Sequence, residues 1–135
     1  MKKLSDIKKI DFPQFDAKES TLFVYESGKL LPFTIQRVFT IKTVEACTRG
    51  FHAHKHGTQL LTVLNGECDV ICDDGTSRKT YTLNQAAQGL LIPPTIWAEQ
   101  AYSPNTILMV LTDHSYDEAD YIRDYDAFLE FRKLS

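Results

Sequence analysis

Residues 59–75 read QLLTVLNGECDVICDDG, and this stretch decides the fold class. Two short apolar segments, 59–64 and 67–72, flank an Asn-Gly pair at 65–66, which is a strong signal for a β-hairpin. The second segment runs into an Asp-Asp-Gly turn sequence at 73–75. The stretch therefore predicts successive short strands joined by tight turns.

The same rhythm continues on both sides of this stretch. The segments predicted as strands are residues 33–41, 59–64, 67–72, 77–83, 89–92 and 105–112. Many short strands separated by Gly, Pro and Asn turns are typical of a β-sandwich or barrel. The last twenty residues differ, because Tyr121, Tyr125 and Phe128 follow the i, i+4, i+7 spacing of one helix face. We therefore expect residues 1–135 to form a single all-β domain with a C-terminal α-helix.

The composition excludes several functional classes. The chain has 135 residues, of which 43% are hydrophobic and 24% charged, and its formal net charge is −3. A nucleic-acid binder would normally carry a basic stripe, and no such stripe is visible. No apolar run approaches the roughly 18 residues of a membrane span, and the first residues lack the apolar core of a secretory signal. Three cysteines without a CxxC pattern predict free thiols, so a cytoplasmic protein is expected.

Three of the four histidines lie in one pentapeptide, His52-Ala53-His54-Lys55-His56. Residues i, i+2 and i+4 share one face of a regular strand, so the three imidazoles would point the same way. Several titratable rings on one apolar-walled face indicate binding or catalysis, whereas a surface strand with solvated histidines is the alternative. Gly57 predicts that the strand ends or bends there, which favours a solvated His56. His114 is expected to lie in a loop without a role.

The motif around these histidines resembles the first motif of the cupin superfamily. It consists of Gly50 to His54, then Gln59, then Gly66 seven residues later. In metal-binding cupins this motif supplies two His and a Glu, and a second motif supplies another His. Here Gln59 stands at the Glu position and Ala98 at the position of the last ligand, and a neutral amide is a poor ligand for a divalent ion. We therefore expect no metal and no other cofactor.

A closer resemblance, to the sugar 3,4-ketoisomerase family, covers most of the chain. Its motifs are FTIQRV at 33–38, RGFHAHK at 49–55, LNG at 64–66, DDG at 73–75, Trp97, and YDEADYIRDYDAF at 116–128, the last being the most specific. The family consists of metal-free cupins with a jelly-roll barrel, acting on thymidine-diphosphate (dTDP) 4-keto-6-deoxyglucose in deoxysugar and aminosugar synthesis. The resemblance also implies a homodimer that exchanges an N-terminal strand, here a segment before Pro32 containing Leu22, Phe23 and Val24.

The family's two functional histidines correspond to His52 and His54. Moving a ketone from C4 to C3 requires removal of the C3 proton and delivery of a proton to C4, and a neutral imidazole suits both steps. We expect His52 to act as the C3 base and His54 to handle the second proton or to stabilise the enediolate. Their shared strand face would let both reach one sugar ring.

Five further residues are candidates for substrate binding. Arg37 interrupts an apolar strand and would need an anion, either the substrate diphosphate or enediolate or a structural carboxylate. Arg49 is a weaker candidate of the same kind, and Gln59 is expected to hydrogen-bond sugar hydroxyls or simply to fill space. Trp97 is expected to line the pocket, with plain core packing as the alternative. Glu99 is expected to orient a histidine or to lie exposed on the rim.

Two departures from the family pattern concern the product. The family often has Tyr-Tyr where this chain has Phe39-Thr40, and His or Arg where it has Ala98. The C4 configuration of the product, gluco or galacto, therefore stays open.

Two other functions also stay open. One is another nucleotide-sugar enzyme on the same scaffold, such as a 3,5-epimerase using Tyr25, Tyr81 or Tyr102 as an acid. The other is a non-catalytic sugar-binding module.

Overall fold

The computed structural model describes residues 1–133 as a β-sandwich followed by one short helix. The strands are β1 (Lys8–Asp11), β2 (Gln14–Asp16), β3 (Thr21–Phe23), β4 (Arg37–Lys42), β5 (Cys47–His54), β6 (Gln59–Asn65), β7 (Cys68–Asp73), β8 (Arg78–Leu83), β9 (Gln88–Ile92), β10 (Trp97–Tyr102), β11 (Ile107–Thr112) and β12 (Tyr121–Ile122). The helix α1 is Tyr125–Lys133, and single 3-10 turns lie at Leu4–Asp6 and Glu118–Asp120.

Two five-stranded antiparallel sheets form the jelly roll. The first has the order β1-β9-β6-β11-β4 and the second has the order β12-β5-β10-β7-β8, while β2 and β3 form a separate hairpin. Sequential strands repeatedly change sheet, as in a double Greek key. The expectation of an all-β, cupin-type jelly roll with a C-terminal helix is confirmed.

Strand β6 explains why the deciding stretch of sequence is continuously apolar rather than alternating. Leu61 and Val63 point into the main core between the two sheets. Leu60 points the other way, into a second apolar cluster that includes Phe12 and Leu31 from the N-terminal segment. Because both faces of β6 are covered from Gln59 to Val63, apolar residues do not alternate with exposed polar ones there.

The Asn-Gly turn does not form the expected hairpin, and that prediction is wrong. Strand β6 belongs to the first sheet and β7 to the second, so the turn carries the chain across the sandwich. Gly66 has φ +83°, and a Cβ there would lie 2.8 Å from the Cα of Thr106. The positive φ and the close contact with Thr106 both require glycine at this corner, just as a tight hairpin turn would. The next pair, β7 and β8, does form an antiparallel hairpin.

The C-terminal helix begins later than the i, i+4, i+7 spacing of Tyr121, Tyr125 and Phe128 predicts. Tyr121 lies in β12 and pairs with His54 of β5 instead of starting a helix. The helix begins four residues later because the Asp124 carboxylate accepts a hydrogen bond from the Ala127 N–H and caps the first turn. Phe128 is fully buried on the helix face that was expected to be apolar.

Two strand boundaries also differ from the sequence-based expectation. The strand predicted at 33–41 begins only at Arg37, because Phe33 and Ile35 pack into the N-terminal cluster before the chain joins the sheet. Strand β10 was not predicted, since its Ala and Gln residues give no clear apolar alternation. In residues 1–133 no helix has both the length and the hydropathy needed to cross a membrane.

Candidate active site

A β-bulge in β5 sets the direction of the histidines. Ala98 of β10 opposes His52, and the next residue, Glu99, opposes Gly50, so Phe51 is an extra residue without a partner. Gly50 has φ +90° and Phe51 has φ +58°, a region that a bulky side chain rarely adopts. A Cβ on Gly50 would lie 3.0 Å from the Ala98 carbonyl oxygen. The bulge therefore strains the backbone locally, and it changes the direction of the side chains just before His52.

The bulge opens onto a cavity of about 290 Å³. Its lining residues are Arg37, Phe39, Thr40, Ile41, Arg49, Gly50, His52, Gln59, Gln100, Val110, Tyr121 and Arg123. Regular alternation would place Arg49 and His52 on opposite faces of β5, and the bulge brings both to one cavity. Four residues singled out from the sequence therefore meet here: Arg37, Arg49, His52 and Gln59.

His54 lies directly beside His52, beneath the cavity. The two ring centroids are 5.0 Å apart with the planes at 89°, and the Tyr121 ring lies 4.4 Å from His54 and 5.0 Å from His52. His52 Nδ1 and His54 Nε2 are buried and have no hydrogen-bond partner. A buried nitrogen without a partner is costly, so each of these two atoms has unused hydrogen-bonding capacity next to the cavity.

Asp120 fixes the tautomer of His54. Its carboxylate lies 3.1 Å from His54 Nδ1 and accepts hydrogen bonds from the backbone N–H groups of His56 and Gly57 at 2.7 and 3.2 Å. Burial would raise the pKa of Asp120, but these hydrogen bonds bring it below its usual value. An ionised carboxylate only accepts, so Nδ1 of His54 carries the hydrogen and Nε2 keeps a free lone pair.

Both histidines are held neutral. The pKa of His54 is lowered to about 4, chiefly by burial and next by the neighbouring His52, while the hydrogen bond to Asp120 opposes the shift. Burial also lowers the pKa of His52. At neutral pH the site therefore presents two uncharged imidazoles, each able to accept a proton.

Three guanidinium groups surround the histidines. Arg123 is paired with Glu118 (Nε to Oε1, 2.6 Å) and lies over the Tyr121 ring. Arg37 lies over the Phe39 ring, 4.6 Å from its centroid. Within residues 1–133 no carboxylate lies within ion-pair distance of Arg37 or Arg49, which argues against the structural-carboxylate alternative for both. Of the three guanidinium groups, those of Arg37 and Arg49 thus have no carboxylate partner in this part of the chain, whereas that of Arg123 is neutralised by Glu118.

Trp97 and Glu99, the other two candidates for substrate binding, are not among the residues that line the cavity. Trp97 is 3% exposed and packs against Tyr125 and Phe128 of α1, which is the core alternative. The Trp97 Nε1–H donates to Glu99 at 2.9 Å, and Arg78 pairs with the same carboxylate. Glu99 therefore orients the tryptophan rather than a histidine.

Sequence reasoning missed Asp120, Tyr121 and Arg123, and it did not place His114 near His54. The first three lie in the segment after β11 that was assigned to a helix, and β12 brings them onto β5. His114, expected to have no role, has its ring centroid 5.4 Å from that of His54, and its Nδ1 lies 2.8 Å from Asp113. The specific motif at 116–128 was the available signal, but only the pairing with β5 shows which of its residues reach the histidines.

Comparisons with known proteins identify the family of this chain. The family model described as "FdtA: WxcM-like, C-terminal" matches residues 5–133. A TDP-4-oxo-6-deoxy-α-D-glucose-3,4-oxoisomerase from Aneurinibacillus thermoaerophilus is 42% identical over 126 residues, covering 92% of this chain and 91% of that protein.

Two solved structures are similar over nearly the whole chain. A 3,4-ketoisomerase from Helicobacter canadensis has a TM-score of 0.91 and 35% identity, covering 95% of this chain and 98% of that one. A mutant 3,4-ketoisomerase from Thermoanaerobacterium thermosaccharolyticum, in complex with TDP-4-keto-6-deoxyglucose, has a TM-score of 0.92 and 34% identity, covering 98% and 97%. The expected family is confirmed: this chain belongs to the FdtA, WxcM-like C-terminal family, and the three relatives just named are sugar 3,4-ketoisomerases.

Proposed function

We propose that this chain is a metal-independent isomerase that moves the keto group of dTDP-4-keto-6-deoxyglucose from C4 to C3. The observation that carries the proposal is a pair of neutral histidines, one half-buried and one buried, beside a cavity whose Arg37 and Arg49 have no carboxylate partner among residues 1–133. Imidazoles supply proton transfer, and guanidinium groups suit a diphosphate. The substrate named for the relatives carries both features, a keto sugar and a diphosphate.

The reaction needs only proton transfers. A base takes the C3 proton, the electrons of that bond form a C3–C4 double bond, and the C4 oxygen becomes an enediolate. The C3 hydroxyl then gives up its proton and the C4 oxygen takes one, after which the C3 oxygen becomes the new ketone while the electrons of the double bond take up a proton at C4. Atoms and electrons balance without any oxidant or reductant.

The two histidines divide this work. His52, which lines the cavity, is the C3 base. His54 presents Nε2 from the layer beneath and handles the second proton or stabilises the enediolate. The Asp120 carboxylate stabilises the His54 imidazolium each time it forms, as in other His-carboxylate pairs.

Arg37 and Arg49 hold the diphosphate, and Gln59 hydrogen-bonds sugar hydroxyls. We expect Arg37→Gln and Arg49→Gln each to raise KM about tenfold or more with a small change in kcat, because each removes one charge-assisted contact of about 1.5–3 kcal/mol to a group that does not react. Initial rates over a range of substrate concentrations measure the split. Arg78→Gln, which removes a guanidinium outside the cavity, is the matched control and should leave KM unchanged. A loss of kcat at constant KM would instead place these arginines at the enediolate.

The pH profile should reflect the burial of the histidines. The pKa of His54 is about 4 and that of His52 is also lowered from 6.5, so both stay neutral as the pH falls from 7. The acid limb of kcat/KM should therefore lie below pH 6.5, since the substrate diphosphate stays ionised over this range. Rates measured between about pH 4.5 and 8 would test this expectation, because the range extends to both sides of the ordinary histidine pKa. A limb centred at the ordinary pKa of histidine would show that the base is solvated.

A 3,5-epimerase remains the second candidate because a tyrosine does lie at the site. Tyr25, Tyr81 and Tyr102 are not among the cavity-lining residues; Tyr25 donates to the Ala86 carbonyl and Tyr102 to Gln100. Tyr121, however, contacts both histidine rings and lines the cavity.

Proton NMR of the reaction in D₂O, with a chelator, separates the candidates. Deuterium at C4 of a 3-keto product establishes the isomerase, and the ring couplings give the gluco or galacto configuration. Deuterium at C5 with the ketone still at C4 indicates an epimerase. Binding of dTDP without any incorporation of deuterium into the sugar would indicate a non-catalytic sugar-binding module.

We also propose a homodimer, supported by the separate β2–β3 hairpin. Phe15 and Leu22 on this hairpin are 60% and 59% exposed, which is unusual for two large apolar side chains so close together. The double variant Phe15→Glu/Leu22→Glu should dissociate the dimer, measured as a halved mass by light scattering. Val44→Glu, an exposed apolar residue on another loop, is the control that should not alter the mass. A wild-type chain that already has the mass of a monomer would contradict the proposal.

The cysteines favour the cytoplasm as the place where the enzyme acts. Cys47, Cys68 and Cys72 are all free, and burial raises the pKa of the Cys68 and Cys72 thiols to about 12. Such buried thiols behave as small apolar groups rather than as disulfide partners.

A further inference from the structure

A second group of ligand-type side chains lies on the Nδ1 edge of His54, the edge opposite the nitrogen that is free for the reaction. It consists of His54, His114 and Asp120, whose possible ligand atoms all lie within 4.8 Å of one another. His54 Nδ1 is 3.1 Å and His114 Nε2 is 3.7 Å from the same oxygen, Asp120 Oδ2. Three elements distant in sequence, namely β5, the loop after β11 and the turn before β12, thus converge on one point.

The group can be reached from solvent. A cleft of about 400 Å³ is lined by His56, His114, Asp113, Asp117 and Asp120, together with Gly57, Ser115 and Tyr116. The His114 side chain is 22% exposed, whereas His54 and Asp120 are buried behind it. The carboxylates of this cleft make its mouth attractive to a cation.

The His114 ring is held in place from two sides. Its Nδ1 lies 2.8 Å from Asp113 Oδ1, so an N–H at Nδ1 leaves Nε2 as the atom with a free lone pair. A Cβ on Gly57 would come within 2.1 Å of the ring, so only glycine lets the ring lie against the chain here. A histidine oriented by a carboxylate through its other nitrogen is the usual arrangement of a metal ligand.

The donor set selects the kind of ion. Two imidazoles and one carboxylate suit Zn²⁺ and related transition ions, whereas Mg²⁺ and Ca²⁺ prefer oxygen ligands throughout. With bonds of about 2.0–2.1 Å, tetrahedral zinc would need its ligand atoms roughly 3.3 Å apart. The observed 3.1 and 3.7 Å are close to that spacing. A water would complete the coordination from the cleft.

We propose that His54, His114 and Asp120 form a binding site for one Zn²⁺ ion and that its occupation inhibits the isomerase. The inhibitory half rests on the proposed function. Zinc at His54 Nδ1 must displace the hydrogen there, and the neutral imidazole then carries it on Nε2. The nitrogen facing the reaction becomes a donor instead of an acceptor, so His54 can no longer take up a proton. This site shares His54 with the cupin metal position but not its other ligands, two of which are replaced there by Gln59 and Ala98.

Metal titration tests the site without any need for turnover. Tag-free, chelator-treated protein is titrated with Zn²⁺ by calorimetry and with Co²⁺ by visible absorption. We expect one ion per chain, a tetrahedral Co²⁺ spectrum, and at least a tenfold loss of affinity in His114→Gln. His56→Gln removes a histidine of the same cleft that is not a ligand, and should bind as the wild type does. The site is overturned if the wild-type chain takes up no stoichiometric ion or if His114→Gln binds it equally well.

Turnover with and without Zn²⁺ tests the inhibition. We expect zinc to stop the wild-type enzyme while dTDP still binds, a chelator to restore turnover, and His114→Gln to turn over in both conditions. Unchanged turnover of the zinc-loaded wild-type enzyme would overturn the inhibitory half. If the metal-free enzyme does not isomerise the sugar, the proposed function fails, and the titration still decides whether the zinc site exists.

Discussion

Replacement of His52 or His54 by asparagine is expected to lower kcat about 10²–10⁴-fold, the range typical of a lost general acid or base. Asparagine is close in volume and keeps a hydrogen-bonding side chain, but it does not exchange protons near neutral pH. At position 54 its amide N–H also takes the place of Nδ1–H beside Asp120, so the local packing is preserved. Binding of dTDP, measured by calorimetry, should be unchanged because neither histidine holds the diphosphate.

The third histidine of the pentapeptide provides the control. The His56 side chain is exposed, and only its backbone N–H contacts Asp120, so His56→Gln should retain full activity. Full turnover by either the position 52 or the position 54 variant would remove that residue from the catalytic group.

The same two variants separate the roles of the histidines. With substrate deuterated at C3, His52→Asn should show neither washout of the label nor product. His54→Asn should still release the label slowly to water while failing to deliver a proton to C4. The reverse pattern would exchange the roles of the two histidines. The positions of the two rings do not by themselves determine which histidine has which role.

Asp120→Asn is the second change with a large expected effect. It should lower kcat about 10²-fold or more with little change in KM. The amide can offer its N–H to His54 Nδ1, which would then have to accept, and the hydrogen would move to Nε2. The imidazole would be present in the wrong tautomer, as in other His-carboxylate pairs whose carboxylate is replaced by an amide. The pH-rate profile should change as well, since the carboxylate raises the pKa of His54 against the effect of burial.

Asp117→Asn is the matched control, because Asp117 lies three residues away and only caps the 3-10 turn through the Ala119 N–H. It should keep normal kcat. Equal losses in the two variants would indicate that the turn, and not the carboxylate at His54, is what matters. A normal rate in Asp120→Asn would show that the tautomer of His54 is set by another group.

The resemblance and the strand pattern together predicted most of the site. His52, Arg37, Arg49 and Gln59 were named from the sequence, and they line one cavity. Their convergence was predictable in outline, because a jelly roll brings the inner faces of its strands together. The details were not, since Arg49 and His52 share the cavity only through the bulge at Phe51.

The errors have a common physical origin. Tyr121 fits a helical stripe equally well, but pairing with His54 in β12 outweighs the local periodicity. The Asn-Gly turn was read as a hairpin, although its backbone geometry serves equally well at a corner between sheets. The Trp97 ring would suit an apolar core and a ligand pocket equally well. Its packing against Phe128 of α1 places it in the core.

The sequence by itself determined the fold class, the family and the two histidines, because apolar periodicity and residue spacing act over a few residues and can be read along the chain. Only the tertiary structure decided which groups act on those histidines. Asp120 lies 66 positions beyond His54, and its contact at 3.1 Å depends on β12 closing against β5. The neutral state of both rings likewise comes from burial, which is a property of the packed sandwich and not of any segment of sequence.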